Sequence, residues 1–291
     1  MGVFGNTKMK LFVGGDKVKK AYLGDTKIYS AGNIVTYYVD SSTYYQEEVD
    51  SGASCLSPTT FTPSKTGWTF VGWREDKTAN ADILTRKIMA DEPITLYAVF
   101  IKDITLTAVS NGKSTKYIQK RYYNNLNVAN PTFTVYDPTL DEAVFKGWSK
   151  SSGSSKVTYT TISNTTFTTD TTIYAVFTYD NVSKTFSLSP GGTFNSGITL
   201  ANFSSMTITA SASSTESNHS GYGWYVYINS VLVASNSNAT DVFPGVNITN
   251  KTFALSATIN YAVKNSYGDS VAYGHETLSG TVTYIGKTIV G

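Results

Sequence analysis

The chain has 291 residues and a formal net charge of +2; 41% of its residues are hydrophobic, 13% are aromatic and only 15% are charged. That apolar content is enough for folded cores and excludes a wholly disordered chain, and the length fits two or three compact domains. The near-zero charge disfavours nucleic-acid binding, which requires clustered Lys and Arg. Ser, Thr, Asn and Tyr supply the polar surface in place of straight-chain helix formers, which favours strands.

The sequence also disfavours a protein held together by disulfides or cysteine-bound metal, and a secreted or membrane-inserted protein. Cys55 is the single cysteine, so it can form neither an internal disulfide nor a multi-cysteine metal site, and we expect it to be a small buried apolar side chain. The N-terminal residues contain no apolar run of the length that a secretory signal needs, and no run is long enough to span a bilayer. We therefore expect no secretion by that route and no membrane insertion, and we predict no metal or cofactor.

The first 33 residues contain a short internal repeat. Residues 12–18 (FVGGDKV) and 22–28 (YLGDTKI) align at a spacing of ten, and both place Gly and Asp where a tight hairpin turn requires them. The pattern predicts a β-ribbon of about three short strands, which is too small to hold a core of its own. The ribbon either covers the edge of a neighbouring sheet or docks onto another protein. Its lysines suit an acidic partner and equally suit protection of a strand edge.

A second repeat, with a period near 75 residues, occupies the middle of the chain. Each copy predicts an opening strand, a second strand, a proline-marked loop, a strand centred on Phe-x-Gly-Trp, a polar loop and a closing strand. The landmarks are residues 34–39, Pro58, 70–73 (FVGW) and 94–100 in the first copy, and residues 104–107, Pro131, 145–148 (FKGW) and 172–177 in the second. The glycine lets the indole lie against a closely approaching backbone, so we predict that Trp73 and Trp148 are core residues.

These landmarks resemble a known family. Residues 67–73 (GWTFVGW), followed by a polar loop and residues 96–100 (LYAVF), resemble the Listeria–Bacteroides repeat, also called the internalin-type B repeat. The second copy keeps Phe145, Gly147, Trp148, Tyr174 and Ala175 but has Asp-Glu-Ala-Val in place of the Gly-aromatic pair. The resemblance implies two β-grasp-like modules, at 34–101 and 102–179. Members are spacer and adhesion modules of bacterial surface proteins, and no catalytic residue belongs to the pattern.

The N-terminal ribbon, residues 1–33, resembles a different group of proteins. Residues 18–30 (VKKAYLGDTKIYS) look like the opening segment of structural proteins in phages of Gram-positive and gut bacteria. In those proteins, a short opening precedes immunoglobulin-like or B-repeat modules, and assembly in the host cytoplasm needs no signal peptide. The resemblance implies attachment to capsid, tail or baseplate proteins. The candidate attachment residues are Lys17, Lys19, Lys20, Tyr22 and Tyr29.

The C-terminal residues, 180–291, are almost uncharged and rich in Ser, Thr, Asn, Gly and Tyr. Alternating apolar runs occur at residues 184–188, 206–210, 225–233, 252–259 and 281–285. The pair Asn229 and Ser230 stands between two such runs and predicts a two-residue hairpin turn. Roughly seven short strands at this spacing predict a β-sandwich that is immunoglobulin-like or jelly-roll-like.

One loop of the C-terminal region has the composition of a sugar-binding site. In residues 217–224 (SNHSGYGW), glycines separate aromatic rings from polar donors, and aromatic faces beside Asn and Ser suit carbohydrate recognition. The candidate ligand-binding residues are Asn218, His219, Tyr222 and Trp224, joined by Tyr267 and Tyr273 from a neighbouring loop. The alternative for Trp224 is that it opens a strand and lies in the sandwich core.

The sequence offers little support for an enzyme. Both histidines, His219 and His275, lie in polar loops outside any recognisable catalytic motif. Glu216 and Glu276 each stand near one histidine, so a carbohydrate-active enzyme with an acid pair is a minor alternative.

We therefore expect a mainly β, modular and non-enzymatic virion structural protein, anchored by its ribbon and displayed on the particle. It would be a tail fibre or adhesin, or a head fibre or capsid decoration protein. Its expected partners are other virion proteins, further copies of the chain, and host surface glycans or proteins, with no nucleic acid and no membrane. The runner-up is a bacterial cell-surface adhesion protein.

Overall fold

The computed structural model describes residues 12–13, 16–17, 20–30, 32–55, 62–80, 82–84, 92–213, 223–236, 243–265, 267–270 and 276–291. Among these residues the one helical element is a 3-10 turn at Leu200–Asn202, and nearly all the rest of the regular structure is strand. The predicted β-rich, modular fold class is confirmed. None of the residues in these ranges belongs to a helix long and apolar enough to cross a membrane.

The chain forms two compact units, and each unit is built from segments that are not consecutive in the sequence. The first unit contains residues 1–108, 115–135 and 162–172, and the second contains residues 109–114, 136–161 and 173–291.

The described part of the N-terminal ribbon contains two pairs of short strands, which we call the N-terminal hairpins. Strand β1 (Phe12–Val13) pairs with β2 (Asp16–Lys17), and β3 (Lys20–Leu23) pairs with β4 (Thr26–Ser30). Gly24, with φ +63°, begins the turn of the second hairpin, as predicted. The predicted meander of about three strands is not seen among the described residues, in which β1–β2 and β3–β4 are separate two-stranded sheets. Residues 14–15 and 18–19, which would form the first turn and the link between the two pairs, lie outside the described residues.

The first copy of the long repeat contains four strands in the predicted order. They are β5 (Asn33–Val39), β6 (Ser42–Val49), β7 (Thr69–Arg74) and β8 (Ile94–Ser110). Strand β5 is antiparallel to β6 on one side and parallel to β8 on the other. Strand β7 is antiparallel to β8 and pairs with its other edge. The core includes Val35, Tyr37, Trp73 and Leu96, and Cys55 is buried among them as expected. Pro58 lies outside the described residues.

Strand β8 serves both copies of the repeat. It runs without a break for 17 residues, closes the first copy and opens the second. Its sequence contains no Gly or Pro, so nothing in it favours a turn or an interruption of pairing. The predicted boundary between residues 101 and 102 falls inside this strand, and the two copies therefore follow one another without a linker.

The second copy has more strands than the landmarks predicted. After β8 come β9 (Lys113–Asn124), β10 (Asn127–Ala129), β11 (Thr132–Val135), β12 (Ala143–Ser149), β13 (Ile162–Thr166) and β14 (Thr171–Tyr179). In the first unit, β10 pairs with β9, and β11 pairs with β13. In the second unit, β12 pairs with β14.

The C-terminal region contributes two four-stranded antiparallel sheets to the second unit. Its strands are β15 (Val182–Leu188), β16 (Thr193–Asn195), β17 (Phe203–Ala212), β18 (Trp224–Ile228), β19 (Val231–Asn236), β20 (Val246–Phe253), β21 (Thr258–Asn265) and β22 (Leu278–Gly286). The sheet orders are β15-β22-β17-β20 and β16-β21-β18-β19. Both sheets contribute alternate residues to one core, including Met206, Ile208, Val226, Ile259 and Val282, which are fully buried.

Two local predictions for this region had different outcomes. Asn229 and Ser230 form the predicted hairpin turn, with φ of 47° and 63°. The alternating run at 252–259 does not form one strand: β20 ends at Phe253 and β21 begins at Thr258. Thr258 is held at the start of β21, where its backbone N–H donates to the Ser256 hydroxyl at 3.1 Å. Local side-chain hydrogen bonding of this kind competes with a continuous ladder.

The last strand leaves the C-terminal sheets. Strand β23 (Thr288–Val290) pairs with β14, so it joins the sheet of the second repeat. The turn that allows this requires Gly286, because a Cβ at that position would overlap the backbone oxygen of Tyr179.

Candidate functional site

The Phe-x-Gly-Trp motif occupies the same register in both copies. In the first copy Phe70, Gly72 and Trp73 lie opposite Phe100, Val99 and Ala98; in the second Phe145, Gly147 and Trp148 lie opposite Phe177, Val176 and Ala175. The ladder shifts between the Phe and the Gly in each case, which is a β-bulge. In both copies the small alanine lies opposite the indole.

The glycine of the motif is required by the loop that returns over it. In the second copy, Gly147 has φ +134°, and a Cβ there would lie 2.5 Å from the backbone oxygen of Tyr159. The backbone N–H of Trp148 donates to that same oxygen at 2.7 Å. In the first copy, a Cβ at Gly72 would overlap the Ile83 side chain. Trp73 and Trp148 are 1% and 2% exposed, so the predicted core role of both is confirmed.

Each buried indole makes edge contacts with neighbouring aromatic side chains. The Trp73 ring makes edge contacts with Tyr37 and Phe70 at centroid separations of 4.9 and 5.3 Å, and the Trp148 ring meets Phe145 at 5.5 Å. The Tyr37 hydroxyl donates to the Glu47 carboxylate at 2.6 Å. Burial together with this carboxylate raises the pKa of Tyr37 above its ordinary range. The motif therefore serves packing in both copies.

The residue after the tryptophan differs between the copies. In the first copy it is Arg74, a buried arginine whose Nε and Nη2 donate to the two carboxylate oxygens of Asp76 at 3.0 and 2.8 Å. Its Nη1 donates to the Asn80 side chain and to the Asp82 backbone oxygen. Hydrogen bonds from Arg74 and Thr78 hold the pKa of Asp76 well below its ordinary value. We call residues 74–82 the arginine loop.

The second copy has Ser149 in the position of Arg74. Its hydroxyl donates to the Ser151 backbone oxygen at 3.1 Å, and it receives the Ser151 N–H at 3.2 Å. The charge-centred loop is therefore specific to the first copy.

The arginine loop is held by a hairpin of the second copy. Within the first unit, strands β9 and β10 form a hairpin whose side-chain amides reach back to the loop. The buried Asn124 donates to the backbone oxygens of Asp76 and Thr78, both at 3.0 Å. Asn127 donates to the Lys77 backbone oxygen at 2.6 Å. These bonds satisfy backbone groups that a loop of this length would otherwise expose to water.

The same hairpin also contacts the β5–β6 turn of the first copy. Lys65 donates to Asp40 at 2.7 Å and lies 4.1 Å from the centre of the Tyr123 ring. The Ser41 N–H donates to the Asn125 side-chain oxygen at 2.8 Å. Burial pushes the pKa of Asp40 upward, but hydrogen bonds from Lys65 and Tyr123 outweigh it, so the pKa lies below its ordinary value. We use the name repeat joint for two sets of contacts together. One set is the contacts of this hairpin with Lys65 and the β5–β6 turn, and the other is the bonds from Asn124 and Asn127 to the arginine loop.

The predicted sugar-binding residues are only partly described. Asn218, His219, Tyr222 and Tyr273 lie outside the described residues. Trp224 is 5% exposed on β18, with its ring 6.3 Å from that of Phe243, so it occupies the core position that the sequence also allowed. Tyr267 is 75% exposed and follows β21 at the end where Asn265 pairs with Trp224. A ligand role for these residues stays a prediction.

The predicted attachment residues lie on the N-terminal hairpins. Lys17 is on β2, Lys20 and Tyr22 are on β3, and Tyr29 is on β4; Lys19 lies outside the described residues. Tyr22 and its neighbour Leu23 are 55% and 74% exposed. Their role in attachment stays a prediction.

The repeat joint could not be predicted from the sequence. The only local signal was the charged run after Trp73, which reads as an ordinary solvated loop. The partners Asn124 and Asn127 are some 46 to 50 positions away from the loop they bind, and nothing in one sequence marks that pairing.

Comparison with known proteins agrees with the repeat landmarks. Residues 34–99 and 104–176 match the model of the Listeria-Bacteroides repeat domain. Internalin H of Listeria monocytogenes serovar 1/2a (strain ATCC BAA-679 / EGD-e) is 39% identical over 106 residues, which are 35% of this chain and 18% of that protein. The chain therefore spans less than a fifth of that relative. No solved structure matches the chain.

Proposed function

We propose that this chain, which carries two Listeria–Bacteroides repeats, is a non-enzymatic structural protein displayed on the surface of a phage particle. Its N-terminal hairpins attach it to other virion proteins, its repeats act as a stiff spacer, and its C-terminal sheets contact host surface glycans or proteins. Several copies on one particle would add avidity to a weak single contact.

The repeat joint is the observation that carries the spacer role. A flexible linker between domains gives free relative motion, whereas β8 continues from one copy into the next without a linker. The joint adds side-chain to backbone bonds from Asn124 and Asn127 and an ion pair beside Tyr123. A continuous strand with a second set of contacts beside it resists bending at the boundary between the copies.

Attachment through the N-terminus is supported by the character of the hairpins. Tyr22 and Leu23 expose apolar surface next to lysines on a ribbon too small to have its own core. The resemblance of residues 18–30 to phage structural proteins is what favours a virion as the carrier.

A second candidate is a bacterial surface adhesion protein. It is favoured by the 39% identity to Internalin H over a stretch that covers 35% of the chain. In that case the repeats would keep the same spacer role on a cell instead of a particle.

Purified particles and fractionated host cells distinguish the two carriers. The proposal predicts that mass spectrometry and immunogold labelling find the protein in particles, and that deletion of residues 1–33 leaves a folded protein that no longer incorporates. Recovery only from the bacterial surface, or normal incorporation of the deletion variant, would overturn it. Absence of polysaccharide hydrolysis by the purified chain is expected, and hydrolysis that is lost in Glu276→Gln would support the enzyme alternative instead.

A further inference from the structure

A cavity of about 300 Å³ lies where the second repeat meets the C-terminal sheets, inside the second unit. Three segments form it: the turn before β12, residues 179–184 from the end of β14 to the start of β15, and residues 197–203 around the 3-10 turn. Ligand sites favour such junctions between modules, and volumes from about 300 Å³ upward are typical of them. None of the predicted ligand-binding residues lines this cavity.

A carboxylate on the cavity wall, that of Glu142, accepts a hydrogen bond from a second lining residue. Glu142 has φ +61°, a left-handed conformation that is uncommon for residues other than Gly, Asn and Asp. The Asn202 side-chain amide donates to Glu142 Oε2 at 2.9 Å. A non-glycine residue in this conformation is strained and persists only where its surroundings fix it. The backbone of this turn is thus constrained, and the Asn202 amide is a hydrogen-bond partner of the exposed carboxylate.

The backbone around the cavity is also fixed. The Tyr179 N–H donates to the Lys287 backbone oxygen at 3.1 Å, and the Lys287 N–H donates to the Asn202 backbone oxygen at 3.0 Å. The Gly286 N–H donates to the Asn181 side chain at 2.8 Å. These bonds connect residues 179–184 with residues 197–203 through Gly286 and Lys287. The Asn202 side chain binds the Glu142 turn.

The lining combines an apolar surface with polar groups of both kinds. Val182, Ile198 and the buried Phe203 supply the apolar part. Asp180 adds a second carboxylate to the lining, and Lys184 adds an ammonium donor. A ligand that fills this space must offer C–H surface together with both hydroxyl donors and hydroxyl acceptors.

We propose that this cavity binds a neutral pyranose sugar, as the terminal unit of a host surface glycan. Two carboxylates against one ammonium repel anionic ligands and accept hydrogen bonds from adjacent sugar hydroxyls. The Tyr179 ring and the three apolar side chains match the C–H face of a pyranose. The inference rests on the proposed display function and gives it a ligand class and a site.

Saturation-transfer NMR and calorimetric titration of the full chain test the site. The probes are D-glucose, N-acetyl-D-glucosamine and L-rhamnose, with D-glucuronate as the anionic comparison and sorbitol as an acyclic polyol. We expect a dissociation constant of about 1–10 mM for at least one neutral sugar, because a ligand with about a dozen heavy atoms in an open cavity gains little more. Glucuronate and sorbitol should bind more weakly.

Variants locate the binding. Glu142→Gln should weaken it about tenfold, since it removes a charge-assisted bond, and Lys184→Ala should weaken it several-fold. Asp137→Asn, an exposed carboxylate that does not line the cavity, should leave binding unchanged. The thermal unfolding midpoint of each variant shows that a loss is not a folding defect.

Two outcomes would overturn the site. One is the absence of binding by all three neutral sugars at 50 mM, and the other is binding that both cavity variants leave unchanged. Neither outcome alters where the protein is found, so recovery from particles would keep the proposed display function intact while this site fails.

Discussion

Asn124 donates both hydrogens of its side-chain amide to the first copy's arginine loop, to the backbone oxygens of Asp76 and Thr78 at 3.0 Å each. One fully buried side chain of the second repeat thereby satisfies two carbonyls of the first. The relationship joins the two repeats through contacts that neither copy can make alone.

Removal of this amide should destabilise the first unit. Asn124→Ala leaves two carbonyl oxygens without their partner, and the expected loss is about 1–3 kcal/mol in the free energy of unfolding. Gln119→Ala, an exposed amide on the same strand β9, should change it by less than about 0.5 kcal/mol. Urea denaturation of both variants measures the difference, and equal effects would show that Asn124 has no special role.

The glycine of the second Phe-x-Gly-Trp motif should not tolerate a side chain. Gly147→Ala places a Cβ 2.5 Å from the Tyr159 backbone oxygen at φ +134°, so we expect a loss of about 2 kcal/mol or more. Gly153→Ala is the matched control, because a Cβ there meets nothing within 4 Å. The control should be neutral or slightly stabilising. Equal thermal midpoints for the two variants would contradict the packing role of the motif.

The arginine loop should make the protein sensitive to acid. The pKa of Asp76 is lowered in the folded state, so the stability that this carboxylate contributes is present above the unfolded-state pKa of about 4 and is lost as the pH falls through the folded pKa. The free energy of unfolding, measured from pH 7 to pH 3, should therefore decline below about pH 5.

Asn substitutions identify the group responsible for this decline. Asp76→Asn should be less stable than the wild type at pH 7. Its free energy of unfolding should also fall less steeply as the pH is lowered. Asp137→Asn should keep the wild-type slope, because that carboxylate is exposed and no hydrogen bond or ion pair is seen for it in the part of the chain that the structure describes. If the free energy of unfolding falls with the same slope in the wild type and in Asp76→Asn, the arginine loop is not the source of the acid sensitivity.

Trp224 and Tyr267 should respond to alanine in opposite ways. Trp224 is 5% exposed in the core, so Trp224→Ala should cost about 3–5 kcal/mol. Tyr267 is 75% exposed, and Tyr267→Ala should change stability by less than about 0.5 kcal/mol. Chemical denaturation separates them. A stable Trp224→Ala variant would favour the alternative in which this ring serves a ligand.

Local patterns predicted the framework well. Alternation and the repeated landmarks gave β5 to β9, β12 and β14, and the Asn229-Ser230 turn followed from residues that adopt positive φ. The buried positions of Trp73 and Trp148 followed from the glycine before each. These features depend on neighbours in sequence, which one chain displays directly.

The features that were not predicted depend on distant contacts. Asn124 looks like any polar residue at the end of a strand, and Glu142 looks like an exposed acid in a turn. Strand β23 is three residues long, and its partner β14 lies more than a hundred positions earlier. The run at 252–259 alternates like a strand, yet tertiary pairing assigns its two ends to different sheets.

Native-state hydrogen exchange on the full chain tests the repeat joint most directly. We expect the amides of β7 in the first copy and of the β9–β10 hairpin in the second to open with the same free energy. Asn124→Ala should lower this free energy in both elements, and Gln119→Ala should lower it in neither. A hairpin that exchanges much faster than β7, with β7 unaffected by Asn124→Ala, would contradict a stiff spacer built from two interlocked repeats.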